Sequence, residues 1–169
     1  FINEKKTYDF SFNSKIADAN INLSNIPIEN IDLVSGNANL FLIYEENGGN
    51  PLQMDSLKIK IEIGSLNTKN INLSNAKTIF TEIGFGNVIL DIADNNKKKF
   101  VSKTNLSAGQ LIINLPFDDI DTKIVINNSP LSSVKLPKNF REIDQNIYVN
   151  NLSNNKSTYI RSFIVDVGL

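Results

Sequence analysis

The sequence predicts an all-β protein, a single domain of stacked repeated strands that is β-solenoid-like, a β-helix or prism, with a β-sandwich as the alternative. Three observations predict it. Apolar residues recur at every second position, and no window of 11 or more residues carries a helical stripe. A block of about 20 residues is spelled twice at an offset of about 50, a spacing that marks stacked arrays. Clusters of Gly, Asn and Pro punctuate the chain at short intervals. A length of 169 residues suffices to bury a core without staples, so one domain over 1–169 is expected.

The elements follow in order. Tyr8, Phe10 and Phe12 alternate with Asp9 and Ser11, the pattern of a half-buried strand. The first block, INLSNIPIENIDLVSGNANL (21–40), ends one strand at Ile-Asn-Leu, passes through a second and turns at Gly36-Asn37. The run NLFLIY (39–44) is apolar on both faces and reads as a strand covered on both sides. A loop at 46–51 (ENGGNP) precedes the alternation of Leu57, Ile59, Ile61 and Ile63 with Lys58, Lys60 and Glu62.

The second block, INLSNAKTIFTEIGFGNVIL (71–90), repeats the first and turns at Gly86-Asn87. Gly86 is expected at a corner with positive φ or a close backbone approach. After a loop at 93–99 (ADNNKKK), a looser copy at 104–116 carries Gly109-Gln110 and lacks the intervening strand. Ile124 and Ile126 mark another strand, NNSP (127–130) and SNNK (153–156) read as loops, and YIRSFIVDV (159–167) closes the chain as a strand apolar on both faces. The tetrapeptide NLSN, at 22–25, 72–75 and 151–154 with NLSA at 105–108, is read as a strand end before a corner.

Composition narrows function. Lys+Arg 17 against Asp+Glu 18 leaves a net charge of -1, and Arg occurs only at Arg141 and Arg161, so neither nucleic acid nor an anionic membrane surface is an expected partner. With no Cys and no His, thiolate or imidazole zinc sites, Cys nucleophiles and Ser-His-Asp relays are excluded. No apolar run approaches the roughly 20 residues of a membrane helix. Asn is roughly one residue in six, which AT-rich coding alone would explain. The opening FINEKKTY, without Met, reads as a mature or excised segment whose signal peptide or membrane anchor lies outside it.

At IGFGNVILDI (83–92) and AGQLIINLP (108–116) the chain resembles the toast-rack and putative-adhesin domains and the C-terminal domain of LiaF-type proteins of the bacterial cell envelope. The shared pattern is a Gly-x-Gly or Ala-Gly turn feeding an alternating strand that ends in Asp or Leu-Pro. The likeness covers mainly 31–126, and SPLSSVKLP (129–137) with FIVDVGL is compatible with its closing part. The resemblance implies an extracytoplasmic β-solenoid-like domain at the cell surface or in the periplasm, membrane-anchored through a segment outside this one.

Candidate sites are few. Asp118, Asp119 and Asp121, and Asp94 with Asn95 and Asn96, offer the oxygen ligands of calcium, but neither cluster sits in a twelve-residue loop with a central Gly, and both read as solvated loops. Glu45 and Glu46 are adjacent and point to opposite faces, so they form no acid/base pair. GFGN lacks the third Gly and the helix of a dinucleotide fingerprint. Asn22, Asn72, Asn105 and Asn151 match a glycosylation acceptor by virtue of the repeat, and Lys97-Lys98-Lys99 reads as a charged loop tip. Tyr8, Tyr44, Tyr148 and Tyr159 fall mostly at inward positions, as core.

The expectation is therefore no catalytic, cofactor or metal site, and a non-enzymatic scaffold or protein-interaction module of the envelope, in envelope-stress signalling, whose partner is another envelope protein bound at a strand edge or solenoid face. The alternative is a surface adhesin or glycan-binding module. An enzyme of the polysaccharide-lyase kind would need clustered carboxylates and a base, for which Asp118, Asp119, Asp121, Glu45 and Lys60 are the residues to test.

Overall fold

The computed structural model describes residues 6–94, 96–118, 120–128, 135–150 and 159–168. Its strands are β1 (Tyr8–Asn22), β2 (Ile28–Ile43), β3 (Met54–Lys69), β4 (Ala76–Asp91), β5 (Phe100–Asn114), β6 (Thr122–Asn128), β7 (Arg141–Asp144), β8 (Ile147–Val149) and β9 (Arg161–Val167). They form one sheet in the order β1-β2-β3-β4-β5-β9-β6-β8-β7. All neighbours through β6 are parallel, and only the β8 pairings are antiparallel. The two-sheet sandwich does not form.

Parallel neighbours joined by short links demand that each strand be folded back. Only residues 23–27 separate β1 from β2, a reach of about 20 Å at most. A straight strand of β1's 15 residues would be about 50 Å long. The chain closes the circuit by bending each long strand near its middle, so β1 to β5 are successive rungs of a β-solenoid of about 5 turns.

Burial shows where the bend falls. In β4 the inward residues are Ile79, Thr81 and Ile83, then Val88 and Leu90, so the parity changes across 84–87. The same change separates Ile61 from Leu66 in β3. Pairing lapses at Lys15, Gly36, Glu62, Gly84 and Ser107, which form a column at the bend. Both legs of each rung send aliphatic side chains into one core, including Leu33, Leu42, Leu57, Ile79, Ile83, Val88, Leu90 and Leu106, all at 0% exposure. Each such side chain contributes roughly 1.5–3 kcal/mol by leaving water.

The glycines make the bend. Ala38, Gly64, Gly86 and Gly109 are successive register partners, and the three glycines have φ of 136°, 151° and 137°. A Cβ on Gly86 would sit 1.6 Å from the Gly64 carbonyl oxygen. The expectation for Gly86 therefore holds on both counts.

The register also corrects the repeat. Ala38 stacks on Gly64 and Gly64 on Gly86, so the structural unit is one rung, and the offset of about 50 residues between the duplicated blocks spans two, from β2 to β4. Gly36 pairs with neither glycine turn; its missing side chain instead makes room for the Lys15 carbonyl, 2.9 Å from where a Cβ would be. The copy at 104–116 is part of a complete rung, β5, and its NLSA lies inside that strand, not at a strand end. NLSN at 22–25 begins on the last residue of β1, whereas the copy at 72–75 starts after β3 has ended at Lys69. At 72–75 it follows Asn70 and forms a 3-10 turn, and Asn25 and Asn75 both adopt left-handed φ, 61° and 60°. The copy at 151–154 and the loop at 153–156 lie outside the described residues.

Two further readings are corrected. Asn127 and Asn128 extend β6 instead of starting a loop, while 129–130 lie outside the described residues. NLFLIY is covered on one side only: Leu40, Leu42 and Tyr44 are buried, whereas Phe41 is 38% exposed on the outer face. Apolar residues on both faces thus do not mean cover on both faces here.

Asparagine has a structural use beyond codon composition. The buried Asn72 donates from Nδ2 to the Ala93 carbonyl (3.2 Å) and accepts the Ala93 N–H (2.7 Å). Asn50 likewise donates to the Ile28 carbonyl (2.8 Å) and accepts the N–H groups of Ile28 and Leu52. Asn150 spans the Ile120 carbonyl (2.9 Å) and the Thr122 N–H (2.8 Å). In each case the side-chain amide replaces a missing backbone partner where one rung passes into the next, satisfying groups that burial would otherwise leave unpaired.

Candidate functional site

Because the rungs stack in register, outward residues form columns, and the outer surface is where this fold offers chemistry. At the bend the column runs Ile16, Asn37, Ile63, Phe85, Ala108. Phe85 is turned outward by the glycines on either side of it, and it lies beside Ile63; both are 55% exposed, and Ile16 is 80% exposed. Beside this ridge is an open groove of about 380 Å³ between Lys15, Gly36, Lys60 and Glu62. On the first leg Lys103 Nζ stands 5.5 Å above the Phe80 ring, a cation–π contact.

Comparison of the chain with family models, with curated proteins and with solved structures gave no match.

Surface charge is spent between rungs. Lys60 bonds Glu82 (2.7 Å), Lys69 bonds Glu45 (2.8 Å) and Lys77 bonds Asp55 (2.7 Å). The Glu82 bond raises the Lys60 pKa, the Glu45 bond raises that of Lys69, and the Lys77 bond lowers that of Asp55. These pairs are solvent-exposed and add little stability. Glu45 and Lys60, both proposed for testing, are thus members of separate ion pairs on different rungs. Glu46 is exposed.

The acidic stretch after β5 is corrected more sharply. Asp118 is not a solvated loop residue: its side chain is 6% exposed and both carboxylate oxygens are taken by Arg161, at 2.8 and 2.7 Å. Arg161 is 1% exposed and also donates to the Ala93 carbonyl (3.3 Å). Asp121 is half-buried and its carbonyl accepts the N–H groups of Ile160 and Arg161. Asp119 lies outside the described residues. In the other cluster Asn96 is committed to the Asn72 carbonyl and the Lys98 N–H, Asp94 is exposed, and Asn95 lies outside the described residues. No cluster of three metal-ligating side chains occurs among the described residues.

The remaining candidates separate by burial. Tyr44 is fully buried, and burial pushes its phenol above the usual range; Tyr148 and Tyr159 are half-buried. Tyr8, read as core, is 50% exposed, because it lies on the outermost rung. Asn72 cannot accept a glycan where it is clamped, Asn22 bonds Ser24, and Asn105 is exposed; Asn151 lies outside the described residues. Lys97, Lys98 and Lys99 are exposed, as expected.

Sequence reasoning missed Arg161. The signal was present: in YIRSFIVDV it shares the inward parity of Phe163 and Val165, and a cation on an inward face requires a buried anion.

Proposed function

We propose that this chain is a non-enzymatic extracytoplasmic domain of the bacterial envelope that serves as a scaffold or protein-interaction module, in envelope-stress signalling as its resemblance to LiaF-type domains implies. The observation that carries the reading is the bend ridge. Ile63 and Phe85 stand side by side in water on a rigid stack, and large apolar side chains placed so mark interaction surfaces. The titratable groups proposed for catalysis point the same way, being dispersed among ion pairs on separate rungs.

The glycan-binding alternative rests on exposed aromatics, namely Tyr8, Phe41, Phe80 and Phe85 on the rungs and Phe117 on the segment after β5. Those on the rungs stand on different columns instead of forming one strip, and so fit a sugar platform less well.

A photo-crosslinking residue in place of Phe85, in cells that produce the anchored protein, is expected to capture one envelope protein. Capture should survive Glu45→Gln or Lys60→Gln and be lost in the Ile63→Asp/Phe85→Asp double variant. Substrate turnover abolished by Glu45→Gln, Lys60→Gln or Asp121→Asn alone would replace this reading with an enzyme. Saturable glycan binding without protein capture would replace it with an adhesin.

A further inference from the structure

The first rung leaves the core open. Among the described residues β1 ends the sheet and pairs only with β2. Its inward residues Phe10, Phe12, Ala17, Ala19 and Ile21 pack on the core yet stay half-buried. Their register partners in β2, Ile31, Leu33, Ala38, Leu40 and Leu42, are at 2% exposure or less. What β2 has and β1, among the described residues, lacks is a strand on its other side.

The open edge has a definite pattern of donors and acceptors. Tyr8 and Leu23, at the two ends of this rung, both send their N–H to the β2 side, to the Pro27 carbonyl (2.9 Å) and the Ile43 carbonyl (3.1 Å). Counting by twos inward from each end, the residues that turn their backbone groups away from β2 are Asp9, Ser11 and Asn13 on one leg and Asp18, Asn20 and Asn22 on the other. The two sets meet at the bend, between Lys15 and Ile16.

That pattern is complementary to itself. With a second β1 laid antiparallel and the bend on a two-fold axis, Asp9 faces Asn22, Ser11 faces Asn20 and Asn13 faces Asp18 of the other copy, so every edge-facing residue meets an edge-facing residue. Phe10 then faces Ile21 and Phe12 faces Ala19, which continues the core across the axis. The facing of Asn13 and Asp18 repeats a pair this fold already uses between register partners, Asn30 with Asp9 (2.7 Å), Asn127 with Asp166 (2.8 Å) and Asn114 with Asp91. Lys15 falls diagonal to Asp18 of the second copy, within reach of a long side chain. We propose that the chain forms a two-fold symmetric homodimer through antiparallel β1–β1 pairing centred on the Lys15–Ile16 bend. This surface touches the bend ridge only at Ile16, two rungs from Ile63 and three from Phe85, so dimerisation and a heterologous partner's contact with Ile63 and Phe85 can each fail alone.

The chain has no Cys, which makes the register directly testable on the full protein. Asn13→Cys and Asp18→Cys are prepared as single variants and oxidised, alone and mixed. The facing pair would have Cα atoms about 5.5 Å apart, within disulfide reach, whereas like residues would be separated by about 16 Å. A disulfide dimer is expected from the mixture and not from either variant alone. By sedimentation, Ser11→Pro, which removes an edge-facing N–H and no bond to β2, is expected to give a folded monomer. Asp18→Lys is expected to weaken dimerisation at least tenfold, and Lys15→Asp in the same chain to restore it. A wild-type monomer at all concentrations, equal cross-linking in mixed and single samples, or a dimer unchanged by Ser11→Pro would each overturn the proposal.

Discussion

Gly86 lies so close to Gly64 that a Cβ at position 86 would stand 1.6 Å from the carbonyl oxygen of residue 64. The obstacle is backbone of the neighbouring rung, the Gly64–Gly86 pair is flanked by Ala38 on one side and Gly109 on the other, and the φ of 151° is one that L side chains rarely adopt. Gly86→Val is expected to cost at least about 1–3 kcal/mol, read as a fall of several degrees in melting temperature. Gly36→Ala, at an ordinary φ against the outermost rung, should cost less. Equal melting of Gly86→Val and wild type would remove the glycine column as the cause of the bend.

The Arg161–Asp118 pair ties β9 to the segment after β5 and through Ala93 to the link after β4. Removing one partner strands the other charge in the interior. Arg161→Ala and Asp118→Ala are each expected to destabilise by about 3–5 kcal/mol, and Arg161→Met with Asp118→Leu by much less than the sum of the single changes. Additive losses in denaturant titrations would show that the two residues act independently.

Asn72→Ala would leave the buried N–H and carbonyl of Ala93 without the partner that now serves both. A loss of about 1–3 kcal/mol is expected by chemical denaturation, against a change within about 0.5 kcal/mol for the exposed Asn105→Ala. Similar effects at the two sites would return asparagine to a matter of codon usage.

Tyr44 supplies a pH dependence. Burial raises its folded-state pKa above the ordinary value of about 10, so its contribution is complete below that pH and is lost as pH rises from there toward the folded value. Its hydroxyl is buried without a hydrogen-bond partner. Tyr44→Phe is therefore expected to keep or raise stability at pH 7, by up to about 1–3 kcal/mol, and to reduce the loss between pH 10 and pH 11. Ultraviolet titration should show one tyrosine ionising only as the protein unfolds; four tyrosines titrating together near pH 10 in the folded state would contradict the burial.

Strand character was legible wherever one face is buried. Leu57, Ile59 and Ile61 alternate with Lys58 and Lys60 because a strand places successive side chains on opposite faces, and both the structure and the pattern obey that rule. The same rule hid the rungs. At 84–87 the inward parity changes, which a fixed period of two cannot express, so one bent strand looked like two strands and a turn. The surface was less legible still: Ile63 continues the alternation of Ile61 in sequence, yet Ile61 is 1% and Ile63 55% exposed, because the bend intervenes.

By itself the sequence determined the all-β class, the stacking of repeated units and the need for glycine at the corner. All three follow from local sterics and side-chain periodicity, which act over a few residues. Only the tertiary structure decided the one-rung register, the asparagine clamps and the burial of Arg161 on Asp118. Those depend on which backbone groups and charges meet across separations of 21 to 68 residues. Sequence patterns carry little of that information, because the same Asn or Asp is at home in a solvated loop until a neighbouring rung covers it.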